Sequence, residues 1–285
     1  MPLSQIKFNY EEKSVIWVTK RLTESHFFSV LCSVYIFALS CYSNEKVTTF
    51  KRDSSRLWVQ ALATITAVYA MWLEIYWFPP AKVSDERYMF LKTNLLGYFH
   101  FLTLWIQTIC TIYSIFGFIA EFTIHYPSYY GPNWVTLKFC YSIMPFVHST
   151  AVMLAILFFK FCWFDEGWQE IVVVRLKKRG YHNVRRVTCF THIAWVAIAF
   201  VDIFYLKRSS VELIQPLNHQ LIWSAFFGGF YMIIMYSFHI WCGQWPYPFL
   251  NNMGKVQRFI FFSVIVGIFM CFSMLASYLI SWLNK

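Results

Sequence analysis

The stretch "GYFHFLTLWIQTICTIYSIFG", residues 97–117, decides the fold of this chain. It contains no Asp, Glu, Lys or Arg, and apolar or aromatic side chains fill most of its positions. An α-helix rises about 1.5 Å per residue, so about 20 apolar residues cross the roughly 30 Å hydrocarbon core of a bilayer. This stretch therefore predicts a membrane-spanning helix.

The composition of the whole chain agrees with that interpretation. Of its 285 residues, 58% are hydrophobic, 22% aromatic and 13% charged, whereas a soluble domain carries about 25% charged residues. Six further apolar segments lie at residues 26–42, 57–78, 137–163, 187–206, 219–242 and 256–282. We predict an all-α fold, a polytopic transmembrane helical bundle with six or seven spans, because the first segment has only the shortest length that crosses a bilayer.

The net charge and the distribution of Lys and Arg along the chain also indicate a membrane protein. The net charge of +10 is best explained by basic flanks that meet anionic lipid headgroups, and no nucleic-acid-binding signature accompanies it. If all seven segments span, Lys and Arg are more numerous on the side of the N-terminus and of the loop Arg175–Arg186, which predicts that both are cytoplasmic. With six spans the two sides are nearly equal, and the orientation stays open.

The sequence contains none of the common motifs for disulfide frameworks, metal sites, nucleotide binding or serine hydrolases. The eight cysteines include no C-x-x-C spacing, so neither a disulfide framework nor a structural zinc site is predicted. The chain has no H-E-x-x-H, G-x-S-x-G, P-loop or Rossmann glycine pattern, and no paired-histidine box. We therefore expect no metal and no organic cofactor.

Polar side chains recur along the predicted helix that contains the opening stretch. Thr103, Gln107, Cys110 and Ser114 stand at positions i, i+4, i+7 and i+11, which places them on one helix face. That face should point into the bundle. Such residues either pack between helices with their hydroxyls bonded back to the backbone, or carry a function.

Polar groups of several predicted helices should share one level of the membrane. The helices that begin near Thr103 and His192 start on the face where the helices with Glu74, Lys160 and His239 end. At 1.5 Å per residue, all five side chains fall within roughly 10 Å of that face. Intramembrane ionisable groups mark functional sites or structural pairs.

Asp202 does not belong to this level. It follows His192 by ten residues, or about 15 Å of helix, so it is a poor candidate to orient that histidine. We expect it to anchor a helix end or to pair with Lys207 or Arg208.

Three of these stretches resemble the androgen-induced and androgen-dependent-TFPI-regulating protein family, transmembrane threonine hydrolases of fatty acid esters of hydroxy fatty acids. The segment "GQWPYPFL", Gly243–Leu250, with "RFIFF" shortly after it, is similar to a family segment, and "FLT", Phe101–Thr103, is similar to the segment with the nucleophilic threonine. His192 falls where the family has its catalytic histidine. Cys189, Phe190 and Thr191 replace the family's Asn-His pair.

The resemblance implies a fold and an activity. Residues 1–50 would form an N-terminal extension with a weak first apolar helix, and residues 51–285 a transmembrane hydrolase-like domain. Thr103 would be the nucleophile and His192 its base, supported by Glu74, Gln107 or His239. The enzyme would be a threonine-dependent carboxylic ester hydrolase of the endomembrane system or plasma membrane, and its lipid substrate would enter from the bilayer. The alternative is a non-enzymatic seven-helix receptor or lipid-binding protein.

Overall fold

The computed structural model describes residues 8–10, 54–77, 81–83, 102–126, 134–164, 184–206, 217–243, 245 and 247–283. Within them, two three-residue strands pair antiparallel, with Phe8 of β1 opposite Val83 of β2. The strands are β1 (Phe8–Tyr10) and β2 (Ala81–Val83). The helices are α1 (Ser54–Trp77), α2 (Leu102–His125), α3 (Trp134–Phe158), α4 (Val184–Val201), α5 (Leu217–Cys242), α6 (Pro248–Asn251) and α7 (Lys255–Leu283).

Five of the described helices are long and apolar enough to cross a bilayer, which confirms the predicted polytopic all-α bundle. These candidate spans cover Leu102–His125, Ile143–Phe161, Arg185–Leu206, Leu217–Ile240 and Lys255–Leu283. The chain is accordingly a multi-pass membrane protein. Helix α1 coincides with the predicted segment 57–78 and is equally long as α2, at 24 residues. The predicted segment 26–42 lies outside the described residues.

Side-chain hydrogen bonds define the direction of neighbouring helices. Thr64 of α1 donates to the Ser114 carbonyl of α2 at 2.8 Å, and Thr108 of α2 reaches Met71 Sδ at 3.9 Å. Positions rise along α1 as they fall along α2, so these helices are antiparallel. Gln107 contacts Thr191, and Tyr113 contacts Asp202. Positions rise together here, so α2 and α4 are parallel, as the spans predict.

Aromatic side chains fill the centre of the bundle. Trp105 of α2 is fully buried and contacts Phe227 and Tyr231 of α5 at ring-centroid distances of 6.2 Å. Phe146 of α3 packs edge-on against Phe227 and against Phe269 of α7. Lipid tails are as apolar as these rings, so close packing rather than burial from water holds the helices together.

Two helices leave regular α-geometry near their ends. Helix α3 contains Pro145 and continues as a π-helical segment, Phe159–Trp163, and α4 continues as a second one, Asp202–Leu206. Membrane helices tolerate proline where neighbours satisfy the freed backbone groups. π-Helical turns frequently occur at functional sites. Phe158, just before the first, stacks on the candidate site residue His192, and Asp202 begins the second.

Candidate functional site

Two tyrosine hydroxyls cap the beginning of α2. The Leu102 amide donates to Tyr231 Oη at 3.0 Å and to Tyr247 Oη at 3.2 Å. The first amides of a helix have no acceptor within the helix, so inside a membrane they need partners from elsewhere. Tyr247 belongs to the segment Gly243–Leu250, which follows α5. Leu102 and Tyr247, which are far apart in the sequence, therefore meet at the start of α2.

Thr103 occupies the first turn of α2 and is half-buried. Thr108 and Thr111 of the same helix bond back to the carbonyls four residues earlier, at 2.8 and 2.7 Å. No described hydrogen bond uses the Thr103 hydroxyl. The carbonyls three and four residues before Thr103 belong to residues 99 and 100, which lie outside the described residues. Within the described part of the chain, the Thr103 hydroxyl is therefore available for another contact.

The polar stripe of α2 points into the bundle, as the spacing predicts. Gln107, Cys110 and Ser114 are all buried. Gln107 Nε2 donates to the Thr191 carbonyl of α4 at 3.1 Å. Gln107 Oε1 is buried and has no hydrogen-bond partner among the described residues. The amide therefore ties α2 to α4 and leaves one acceptor open.

His192 is held in one tautomer by its own helix. Its Nδ1 lies 2.8 Å from the Thr188 carbonyl, and a carbonyl can only accept, so Nδ1 carries the hydrogen. Nδ1 also lies 3.3 Å from Thr191 Oγ1. The ring stacks on Phe158, with centroids 3.7 Å apart and planes 18° apart. Nε2 is then the ring atom that can take a proton, and no hydrogen bond in the described part of the chain occupies it.

Thr103 and His192 lie on neighbouring parallel helices. The bond from Gln107 to the Thr191 carbonyl joins those helices, one turn after Thr103 and one residue before His192. No hydrogen bond links the Thr103 hydroxyl to His192 among the described residues. Their assignment as a catalytic pair stays a prediction.

The supporting candidates differ in their surroundings. Glu74 lies near the end of α1, and its side chain is outside the described residues. His239 is half-buried near the end of α5 and stacks on the buried Trp245, with ring centroids 4.4 Å apart. Arg258 lies 5.0 Å from the centre of the same Trp245 ring system. These contacts connect His239 to the turn after α5, where Gly243 has φ +70°.

The structure brings together a buried cluster that the sequence analysis did not single out. His148 Nε2 lies 2.9 Å from Asp202 Oδ2, and the Tyr113 hydroxyl donates to the same oxygen. All three residues are at most 2% exposed. Tyr113 also packs edge-on against the His148 ring, with centroids 5.7 Å apart. The cluster joins α2, α3 and the π-helical end of α4.

Asp202 is separated from His192 along α4 as predicted. It begins the π-helical end of that helix and is a buried partner of His148 and Tyr113. Its expected pairing with Lys207 or Arg208 stays a prediction. Lys207 and Arg208 lie outside the described residues. A usable signal was His148 itself, a histidine in the middle of a predicted span, which by default suggests a partner or a function.

The cluster has the bonding pattern of an oriented imidazole. The Asp202 carboxylate accepts from His148 Nε2, so in a neutral ring Nδ1 is the lone-pair nitrogen. That Nδ1 is buried and has no hydrogen-bond partner among the described residues. A carboxylate that orients a histidine is one part of general-base sites. Tyr113 lies ten residues after Thr103, so this cluster is about 15 Å further along α2.

The described residues contain no group of three or more His, Cys, Asp or Glu that could hold a metal ion. No protein-family description, curated protein or solved structure matches this chain.

Proposed function

We propose that this protein is an integral-membrane ester hydrolase that cleaves fatty acid esters of hydroxy fatty acids, with Thr103 as nucleophile and His192 as base. The proposal adopts the resemblance to the androgen-induced and androgen-dependent-TFPI-regulating protein family. The substrate would enter from the bilayer, in the endomembrane system or the plasma membrane. No metal or organic cofactor is required.

The observation that carries the proposal is the Thr103 hydroxyl. It lies in the first turn of a spanning helix, and no described hydrogen bond uses it, whereas Thr108 and Thr111 bond back to their own helix. Two further observations support it. His192 presents Nε2 as its proton acceptor, because Nδ1 bonds the Thr188 carbonyl. The two segments that carry the resemblance meet through the Tyr247 hydroxyl and the Leu102 amide.

The proposed reaction has two steps. Thr103 Oγ1 attacks the ester carbonyl carbon while its proton passes to His192 Nε2, which returns that proton to the departing hydroxy fatty acid. Water, activated by the same nitrogen, then hydrolyses the acyl-threonine and releases the fatty acid. Gln107 and His239 are the candidates to donate to the oxyanion. Glu74 is a candidate for orienting His192 or a substrate group.

The test is lipid ester hydrolysis by membranes that carry single variants. Thr103→Ala and His192→Ala should each reduce hydrolysis by at least about 100-fold, the lower range for a positioned base. The double variant should lose no more than the worse single variant, because the two residues act as one unit. Thr103→Ser should retain turnover, because it keeps the hydroxyl. Labelling by a fluorophosphonate probe should follow the same order.

Two variants of the same helix serve as controls. Thr123→Ala and His125→Ala change half-buried residues at the opposite end of α2 and should leave hydrolysis unchanged. Thr103→Ala membranes that hydrolyse the ester as fast as the parent would overturn the enzyme assignment. Loss in His148→Gln but not in His192→Ala would move the base to the buried cluster of α3.

The competing function is lipid binding without chemistry. It is favoured by the absence of a described hydrogen bond between Thr103 and His192. It expects that the parent protein neither hydrolyses the ester nor reacts with the probe, while it still binds lipid. The hydrolysis and labelling measurements above separate the two functions directly.

A further inference from the structure

An apolar groove runs between α1 and α4 on the outside of the bundle. Its volume is about 790 Å³, within the roughly 300–1,000 Å³ of small-molecule sites. Leu62, Ala63 and Thr66 line one wall, at the i, i+1 and i+4 positions of α1, and Ile193 and Ala197 line the other, one turn apart on α4. The walls are nearly all hydrocarbon.

The groove is long and ends at cationic side chains. It follows α4 from Arg185 to Val201, a rise of about 24 Å. Arg185 and Arg186 line its end and are exposed. None of the described residues that line the groove is acidic, and no described ion pair involves either arginine. The groove thus combines an apolar channel with two positive charges that have no acidic partner among the described residues.

The position of the arginines matches the level of lipid phosphates. Arg185 is the first residue of the candidate span Arg185–Leu206, so it lies where the hydrocarbon core gives way to headgroups. A guanidinium binds phosphate oxygens in a bidentate manner. A phosphate monoester carries about −1.5 to −2 charges and three acceptor oxygens, which suits two adjacent arginines better than a singly charged carboxylate does.

We propose that this groove binds a single-chain lipid with a phosphate monoester headgroup, with its acyl chain between α1 and α4 and its phosphate on Arg185 and Arg186. A volume of about 790 Å³ that extends over about 24 Å describes a narrow groove, which suits the single chain of a lysophospholipid better than a two-chain phospholipid. The site differs from the proposed hydrolytic site, because Thr103 and His192 do not line it. Its occupancy does not depend on ester hydrolysis.

The test uses the full chain in nanodiscs and 1-oleoyl lysophosphatidic acid. The parent should bind it, and Arg185→Gln/Arg186→Gln should weaken binding by at least tenfold, because both charge-assisted hydrogen bonds to the phosphate are lost. Ala197→Trp should block the channel and cause a similar loss. A photoreactive analogue with a diazirine in its acyl chain should label α1 and α4 peptides.

Matched variants and ligands make the test specific. Lys255→Gln removes an exposed cation at the start of α7, and Ala225→Trp enlarges an exposed alanine of α5; both should bind like the parent. Thr103→Ala should also bind normally, which separates this site from the proposed chemistry. Oleic acid and oleoyl lysophosphatidylcholine should bind at least tenfold more weakly. Equal binding by either of them, or by the double arginine variant, would overturn the proposal.

Discussion

The position of a residue within a span determines its depth in the membrane but not its partners. The cluster of Asp202, His148 and Tyr113 illustrates this difference. Counting residues along α4 correctly separated Asp202 from His192. It could not identify the partner of Asp202, because depth along a helix says nothing about which neighbouring helix faces a side chain. In the structure, His148 Nε2 lies 2.9 Å from the carboxylate. An unpartnered carboxylate at this depth would be costly, so the cluster should contribute to stability.

We predict that Asp202→Ala lowers the free energy of unfolding by about 3 kcal/mol or more, because it leaves His148 and Tyr113 buried without their acceptor. Tyr113→Phe removes one hydrogen bond and should cost about 1–2 kcal/mol. Unfolding in mixed micelles measures both effects. The loss in the double variant should be smaller than the summed single losses. Strict additivity, or a Tyr113→Phe variant as stable as the control Tyr278→Phe, would contradict the pairing.

At the scale of elements, the sequence predicted most of what the structure contains. Six of the seven predicted segments coincide with helices, because a run of about 20 apolar residues has few other stable forms in a bilayer. The inward direction of the α2 stripe followed from its spacing. The Tyr231 and Tyr247 cap on Leu102 could not be predicted, since it depends on how α5 and the turn after it place two hydroxyls against another helix. The π-helical ends of α3 and α4 likewise have no simple sequence signal.

Two adjacent glycines of α5, Gly228 and Gly229, allow the packing of α5 against α7 to be tested. A Cβ added at Gly228 would lie 2.7 Å from Val266 Cγ2 of α7, whereas one at Gly229 would meet nothing within 4 Å. Gly228→Ala should lower the free energy of unfolding by about 1–3 kcal/mol through overpacking. Gly229→Ala should be neutral or stabilising by up to about 1 kcal/mol.

The same unfolding assay can show that the lost stability of Gly228→Ala comes from its contact with Val266. Val266→Ala in the Gly228→Ala background should recover part of the lost stability, because it removes the clashing methyl groups. Equal effects of the two alanine variants would mean that α5 and α7 do not approach each other at Gly228.

At the scale of the whole molecule, the number of spans determines which side each end occupies. Since α2 and α4 are parallel and the described long helices alternate in direction, the loop Arg175–Arg186 and the C-terminus should lie on opposite sides. The N-terminus shares the side of that loop only if residues 26–42 also span. With seven spans, the excess of Lys and Arg makes the loop cytoplasmic.

We predict that a tag inserted in the Arg175–Arg186 loop is protected from a membrane-impermeant label in intact cells and becomes accessible after selective permeabilisation of the plasma membrane. An N-terminal tag should behave in the same way for seven spans and in the opposite way for six. A C-terminal tag is the internal control, because it should oppose the loop in either case. Loop and C-terminal tags on the same side would contradict the described helix order.

The tyrosine cap on α2 also has a consequence for biosynthesis. Its two hydroxyl acceptors come from residues 129 and 145 positions after Leu102. A ribosome that has just released α2 into the membrane has not yet made either tyrosine, so the helix bearing Thr103 must wait for α5 and the following turn before its first amide is paired. The proposed catalytic site around Thr103 would thus not assemble until nearly all of the chain has been synthesised. A nascent chain arrested before residue 231 would contain Thr103, Gln107, His148 and His192. It would still lack both hydroxyls that cap the first amide of α2.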